Sequence, residues 1–177
     1  LWTCSHPNGV ADATTGAFKS SSCWYVETFV SGVPETGNKF GNWKTTTKSG
    51  RKFHDLNANG VDDTEPGLEG WTIFVDYDGQ GDLDAGEPSA TTAANGAYTI
   101  SGIEPGGPWK VLEKAPAGEE ALWTCSHPNG VADATTGAYK SSSCWYNETF
   151  QSGVPETGNK FGNWKKATKS GVKFHDK

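Results

Sequence analysis

Methionine is absent, no apolar run approaches the length that crosses a bilayer, and no stretch holds apolar residues at helical spacing over three turns. Those gaps exclude a transmembrane helix and argue against a helical protein. Positive charge is also short: 15 basic against 21 acidic residues leave a net charge of -6, which disfavours nucleic acid or an anionic membrane and suits a hard cation. With 34 % apolar residues, any core is small and thin. Plentiful instead are 23 Gly and eight Trp, the stuff of turns and aromatic anchors. The first residues show neither the basic nor the apolar region of a secretion signal, so the sequence is expected to begin inside a longer or processed chain.

The strongest internal signal is a repeat: residues 1–55 match 122–176 at a constant offset of 121, with six differences. These are Phe18/Tyr139, Val26/Asn147, Val30/Gln151, Thr45/Lys166, Thr46/Ala167 and Arg51/Val172. Such identity marks recent duplication in an array. With the unit starting at Lys48, 48–168 is one complete repeat, 1–47 the C-terminal part of its predecessor, and 169–177 the first strand of the next. Each copy carries two Cys as well as Trp, which low-complexity linker would not.

Within the unit, short alternating stretches lie between turn signals, and the pattern predicts strands at 51–54, 70–75, 89–92, 97–100, 109–113, 122–126, 144–150 and 160–164. Trp71, Ile73 and Val75 share one predicted face, and Trp109 and Val111 point inward on another strand. Turn chemistry separates them at Pro66-Gly67, Asn95-Gly96, Pro105-Gly106-Gly107 and Asn129-Gly130. Seven or eight short strands make an all-β, Ig-like two-sheet sandwich.

Two acidic loops carry the chemistry. In 76–87, oxygen donors stand at positions 1, 3, 5, 9 and 12 (Asp76, Asp78, Gln80, Asp84, Glu87), with Gly81 at the sharp turn and Asp82 placed to give a backbone carbonyl. Donors spaced by twos let one tight loop aim several hard oxygens at a single Ca2+ ion, and no Cys or His is present for zinc. The bland alternative is an Asp/Gly surface turn. The companion loop, 55–65, offers Asp55, Asn57, Asn59 and Glu65, with Val61 at the carbonyl position; it is one residue short, which leaves Asp62 and Asp63 competing for one role, with Asp63 preferred.

At these residues the sequence resembles a family. The stretch of about 50–118, from Gly50-Arg51-Lys52-Phe53-His54-Asp55 through the two acidic loops, the hairpin 91–98 and Gly102-Ile103-Glu104-Pro105-Gly106 followed by Trp109-Lys110-Val111-Leu112-Glu113, is similar to the SdrD B-like domains of bacterial surface proteins, relatives of the Cna B-type domains. Phe161-Gly162-Asn163-Trp164 resembles the motif that closes such modules. The resemblance implies a transthyretin-like sandwich in a tandem array and a secreted or cell-surface stalk or adhesin segment stiffened by calcium. Cna B-type relatives can also carry a Lys–Asn isopeptide bond aided by an acid, for which Lys52, Asn163 and Glu113 form the matching trio. The closer SdrD B-like group generally uses calcium instead, so the expectation is that this bond is not made.

The repeat pairs Cys4 with Cys23 and Cys125 with Cys144, since equivalent units should use equivalent bonds; free thiols are the alternative. Disulfides place the chain outside the reducing cytosol. Ser126, His127 and Asp133 could be forced into a hydrolase triad, but no nucleophile elbow accompanies them, and the four His are two residues seen twice. Asn147-Glu148-Thr149 is a sequon that a glycan could occupy. The expected function is that of a non-enzymatic structural repeat of an extracellular filament or stalk whose partners are copies of itself, with no nucleic acid and no transmembrane segment. The competing readings are a ligand-binding adhesin domain and a non-catalytic module of a secreted enzyme or scaffold.

Overall fold

The computed structural model describes residues 2–6, 9–11, 18–20, 24–128, 130–132, 139–141 and 144–176. Nearly all regular structure is β; one 3-10 turn, Glu120–Leu122, interrupts it. All eight predicted strands are present. They are β5 (Thr46–His54), β6 (Thr72–Asp76), β7 (Ser89–Thr91), β8 (Ala97–Ile103), β9 (Gly106–Lys114), β10 (Trp123–His127), β13 (Trp145–Phe150) and β14 (Glu156–Lys165). Short ribbons add β1 (Thr3–His6) with β4 (Gly41–Trp43), β2 (Gly9–Ala11) with β3 (Phe18–Ser20), and β11 (Gly130–Ala132) with β12 (Tyr139–Ser141).

Two four-stranded sheets result, ordered β10-β14-β5-β8 and β13-β9-β6-β7. Every pairing in them is antiparallel except β14 on β5, which runs parallel. Inward residues of both sheets meet in one core of Ile73, Val75, Tyr77, Tyr98, Ile100, Ile103, Trp109, Val111, Phe150 and Phe161. Trp71, Ile73 and Val75 are all buried as predicted, but so are Phe74 and Asp76, so β6 is covered on both faces and does not alternate. Near the centre of β5, Gly50 permits an approach that a side chain would block: a Cβ there would lie 1.8 Å from the Asn159 carbonyl oxygen.

The duplication supplies a control on why these strands form. β1 pairs β4 in the register by which β10 pairs β14, Cys4↔Asn42 matching Cys125↔Asn163, with the same irregularity before the histidine. Tyr25 donates to the Lys39 carbonyl at 2.8 Å and Tyr146 to that of Lys160 at 2.8 Å; the rings of Tyr25 and Phe40 meet edge-on at 5.4 Å, those of Tyr146 and Phe161 at 5.3 Å. Yet Phe150 and Phe161 are 2 % and 0 % exposed, whereas their duplicates Phe29 and Phe40 are 75 % and 63 % exposed. The segment 56–121, which supplies β6 to β9, occurs once in the sequence. Local sequence shapes the half-unit, and partner strands bury it.

Candidate functional site

Both acidic loops leave the ends of strands, 55–65 after β5 and 76–87 from the last residue of β6. Each opens with a buried aspartate that caps the turn. Asp55 accepts from Asn59 N at 3.0 Å and Gly60 N at 2.7 Å, and Asp76 from Gly79 N at 2.6 Å and Gly81 N at 3.0 Å. Each closes with a glutamate that accepts from the second residue: Glu65 from Leu56 N at 2.6 Å, Glu87 from Tyr77 N at 2.8 Å. The one-residue deletion in the first loop is thus absorbed between Gly60 and Glu65 without loss of the clasp.

Amide groups converge on the ninth residue of both loops. Asn57 and Asn59 donate their side-chain NH2 groups to Asp63 Oδ2 at 3.2 and 3.1 Å; Gln80 donates to Asp78 Oδ2 at 2.5 Å and also to Asp84. Asp62, the rival to Asp63, is spent elsewhere, paired with Arg51 and, at 3.0 Å, with Lys160. Although burial pushes the Asp62 carboxyl up, hydrogen bonds and charge from Arg51 and Lys160 hold it below the usual range. Val61 and Asp82, expected to give backbone carbonyls, are exposed.

These residues fit a cation. Carboxylate oxygens of Asp76, Asp78 and Glu87 lie within 4.8 Å of one another, and in the other loop Glu65 Oε2 is buried with no hydrogen-bond partner. Burial raises the pKa of both Glu65 and Glu87, and the negative charge of Asp55 and Asp63, or of Asp76 and Asp78, pushes the same way. Asp78 is pulled down instead, first by the backbone N–H of Gln80. A hard divalent ion would relieve the crowding that protonation otherwise relieves.

A second constellation lies inside the sandwich. Lys52 of β5 is fully buried; its ammonium contacts the Asn163 side-chain oxygen of β14, the Phe161 carbonyl at 3.3 Å and Glu113 Oε2 of β9 at 3.1 Å, and lies 4.2 Å from the Trp71 ring centre. Burial lowers the lysine to about 8, against the opposing pull of Glu113. Burial likewise raises Glu113, against the pull of Lys52. Both shifts favour a neutral amine beside a neutral acid, since taking two charges out of water costs several kcal/mol per ion. The trio that the resemblance discounted is therefore assembled, on three strands distant in sequence.

Cys125 and Cys144 form a disulfide with Cα atoms 6.1 Å apart, which engages the sulfurs that otherwise stand near Glu113 as donor atoms. Cys4 is disulfide-bonded, while Cys23 lies outside the described residues. Asn147 is exposed on β13. Ser126 is buried with its hydroxyl unpartnered, and Asp133 lies outside the described residues. His127 Nδ1 lies 3.1 Å from the Gly60 carbonyl, so β10 steadies the first acidic loop, a link that no local pattern in the sequence announces.

No protein-family model matches the chain, and a search of curated proteins finds no relative. Among the described residues, no helix is long and apolar enough to cross a membrane.

Proposed function

We propose that the unit spanning β5 to β14 is a tension-carrying structural module of an extracellular fibre or cell-surface stalk, not an enzyme. Calcium stiffens its two acidic loops, the Cys125–Cys144 disulfide ties β10 to the residue before β13, and an amide bond between Lys52 and Asn163 joins its first strand to its last. The observation that carries this reading is the buried contact of Lys52, Asn163 and Glu113 across β5, β14 and β9.

The chemistry balances without a cofactor. The neutral Lys52 amine attacks the Asn163 side-chain carbonyl carbon, Glu113 gives a proton to the carbonyl oxygen and later relays one to the leaving nitrogen, and one ammonia departs as the new C–N bond replaces the old. Burial raises the share of neutral amine that the attack needs. In the calcium loops, Asp55, Asn57, Asn59, Asp63 and Glu65 hold one ion, and Asp76, Asp78, Gln80, Asp84 and Glu87 the other.

Intact mass under denaturing, reducing conditions tests the covalent part. The folded chain is expected to weigh one ammonia less than its sequence, and Lys52→Ala to weigh its full sequence mass. A wild-type chain at full sequence mass after prolonged folding at neutral pH overturns the bond.

A further inference from the structure

The Cys125–Cys144 disulfide crosses from one sheet to the other beside the buried trio. In one sheet, Cys125 stands opposite Asn163 in the antiparallel pairing of β10 with β14. In the other, Cys144 directly precedes Trp145, which stands opposite Leu112, the residue before Glu113, in the pairing of β13 with β9. The bridge therefore ties the cross-strand neighbour of the amide to the strand flanking the acid, and both sulfurs lie within 4.8 Å of a Glu113 carboxylate oxygen. Asn163 and Glu113 sit on different sheets, so strand pairing fixes neither against the other. A covalent link between the sheets does. Glu113 Oε2 has no hydrogen-bond partner, although the Lys52 ammonium stands 3.1 Å away, so the acid takes its place from what packs beside it. The same bridge walls a cleft of about 350 Å³ that reaches Glu113, Asn163, Trp71 and Trp123.

We propose that the Cys125–Cys144 disulfide is a positioning device for the Lys52–Asn163 bond: closing it holds Glu113 against the Asn163 amide, so that the amide bond forms fast only after the disulfide has formed. This rests on the amide-bond reading above and adds the order and the trigger of that reaction. Both steps balance. Two thiols give two protons and two electrons to a small-molecule disulfide, which leaves as two thiols while the Sγ–Sγ bond forms. Attack by the Lys52 amine then expels one ammonia with no change of oxidation state, and the sulfurs act on it only through Glu113. Reduction unties one wall of the cleft and admits water to the trio, which favours the charged amine and slows the attack. A chain in reducing surroundings would thus stay free of the cross-link and lock once it reaches an oxidising space.

Intact mass, sampled over time under denaturing and reducing conditions, reads the loss of ammonia. Chain folded in excess dithiothreitol is expected to lose it on the order of a hundredfold more slowly than chain folded with the disulfide closed, the cost of misplacing a reacting group by about an ångström. Oxidised glutathione added to the folded, reduced chain should start the loss without refolding. Cys125→Ser with Cys144→Ser should stay slow with or without the oxidant. Rates are compared below the melting temperature of the reduced Lys52→Ala chain, where unfolding does not account for a difference. Equal rates in the reduced and oxidised chains, or a reduced chain that is slow only where it unfolds, overturn the proposal and leave the amide bond standing. Ammonia retained in every state overturns both.

Discussion

Lys52 shows how a residue can look ordinary in sequence and be decisive in the fold. Its neighbours suggest an exposed charge, yet β5 is flanked by β14 and β8, and the side chain ends against Glu113, Asn163 and Trp71. A signal did exist for the acid: Trp109 and Val111 alternate inward, and Glu113 is the next residue on that face, a carboxylate where the pattern calls for an apolar group. The resemblance named Lys52 and Asn163 as its partners and then discounted the bond; alternation and spacing alone do not bring together two residues more than a hundred positions apart. Glu113→Gln preserves shape and removes the titrating proton, so bond formation after refolding is expected to stall, read as a mass that stays at the full sequence value over time. Glu113→Ala should also lower stability by about 1–3 kcal/mol in chains not yet cross-linked, because it leaves the buried Lys52 amine without its acid partner; denaturant melts measure this, and an unchanged midpoint would show the amine to be satisfied without the acid.

At the scale of elements, the eight strands and both acidic loops are legible because alternation and turn residues are local. The choice of Asp63 over Asp62 is not, since it depends on Arg51 and Lys160 drawing Asp62 away. The shared glutamate clasp also escapes the pattern, because a one-residue deletion breaks the spacing while leaving the hydrogen bond intact. Calcium is expected to raise the melting temperature, and Asp76→Asn with Glu87→Gln to remove most of that rise; equal melting curves in chelator and in millimolar calcium would contradict the loop assignment. Acid should weaken the binding early. Burial and neighbouring carboxylates raise the pKa of Glu65 and Glu87, so protons begin to compete with the ion above the usual glutamate range, and calorimetric affinity should begin to fall as pH is lowered toward that range, earlier than ordinary carboxylates would allow. A pH-independent affinity down to that range would count against those two ligands.

For the whole molecule, the parallel pairing of β14 on β5 matters most. The chain enters the sandwich at the start of β5 and leaves at the end of β14, so tension along it pulls the two neighbours in opposite directions and shears their hydrogen bonds together instead of peeling them singly. The Lys52–Asn163 contact sits within that interface, where a covalent link would carry the force past the intervening residues. Such a layout suits repetition in an array, and the near-identical flanking copies supply it. The most direct measurement is single-molecule extension of the chain held on either side of the unit, with the disulfide reduced. The account predicts that the residues between 52 and 163, on the order of 370 Å of extended chain, are never released and that Lys52→Ala releases them. Full extension of the wild-type unit at the same force as the variant would contradict it.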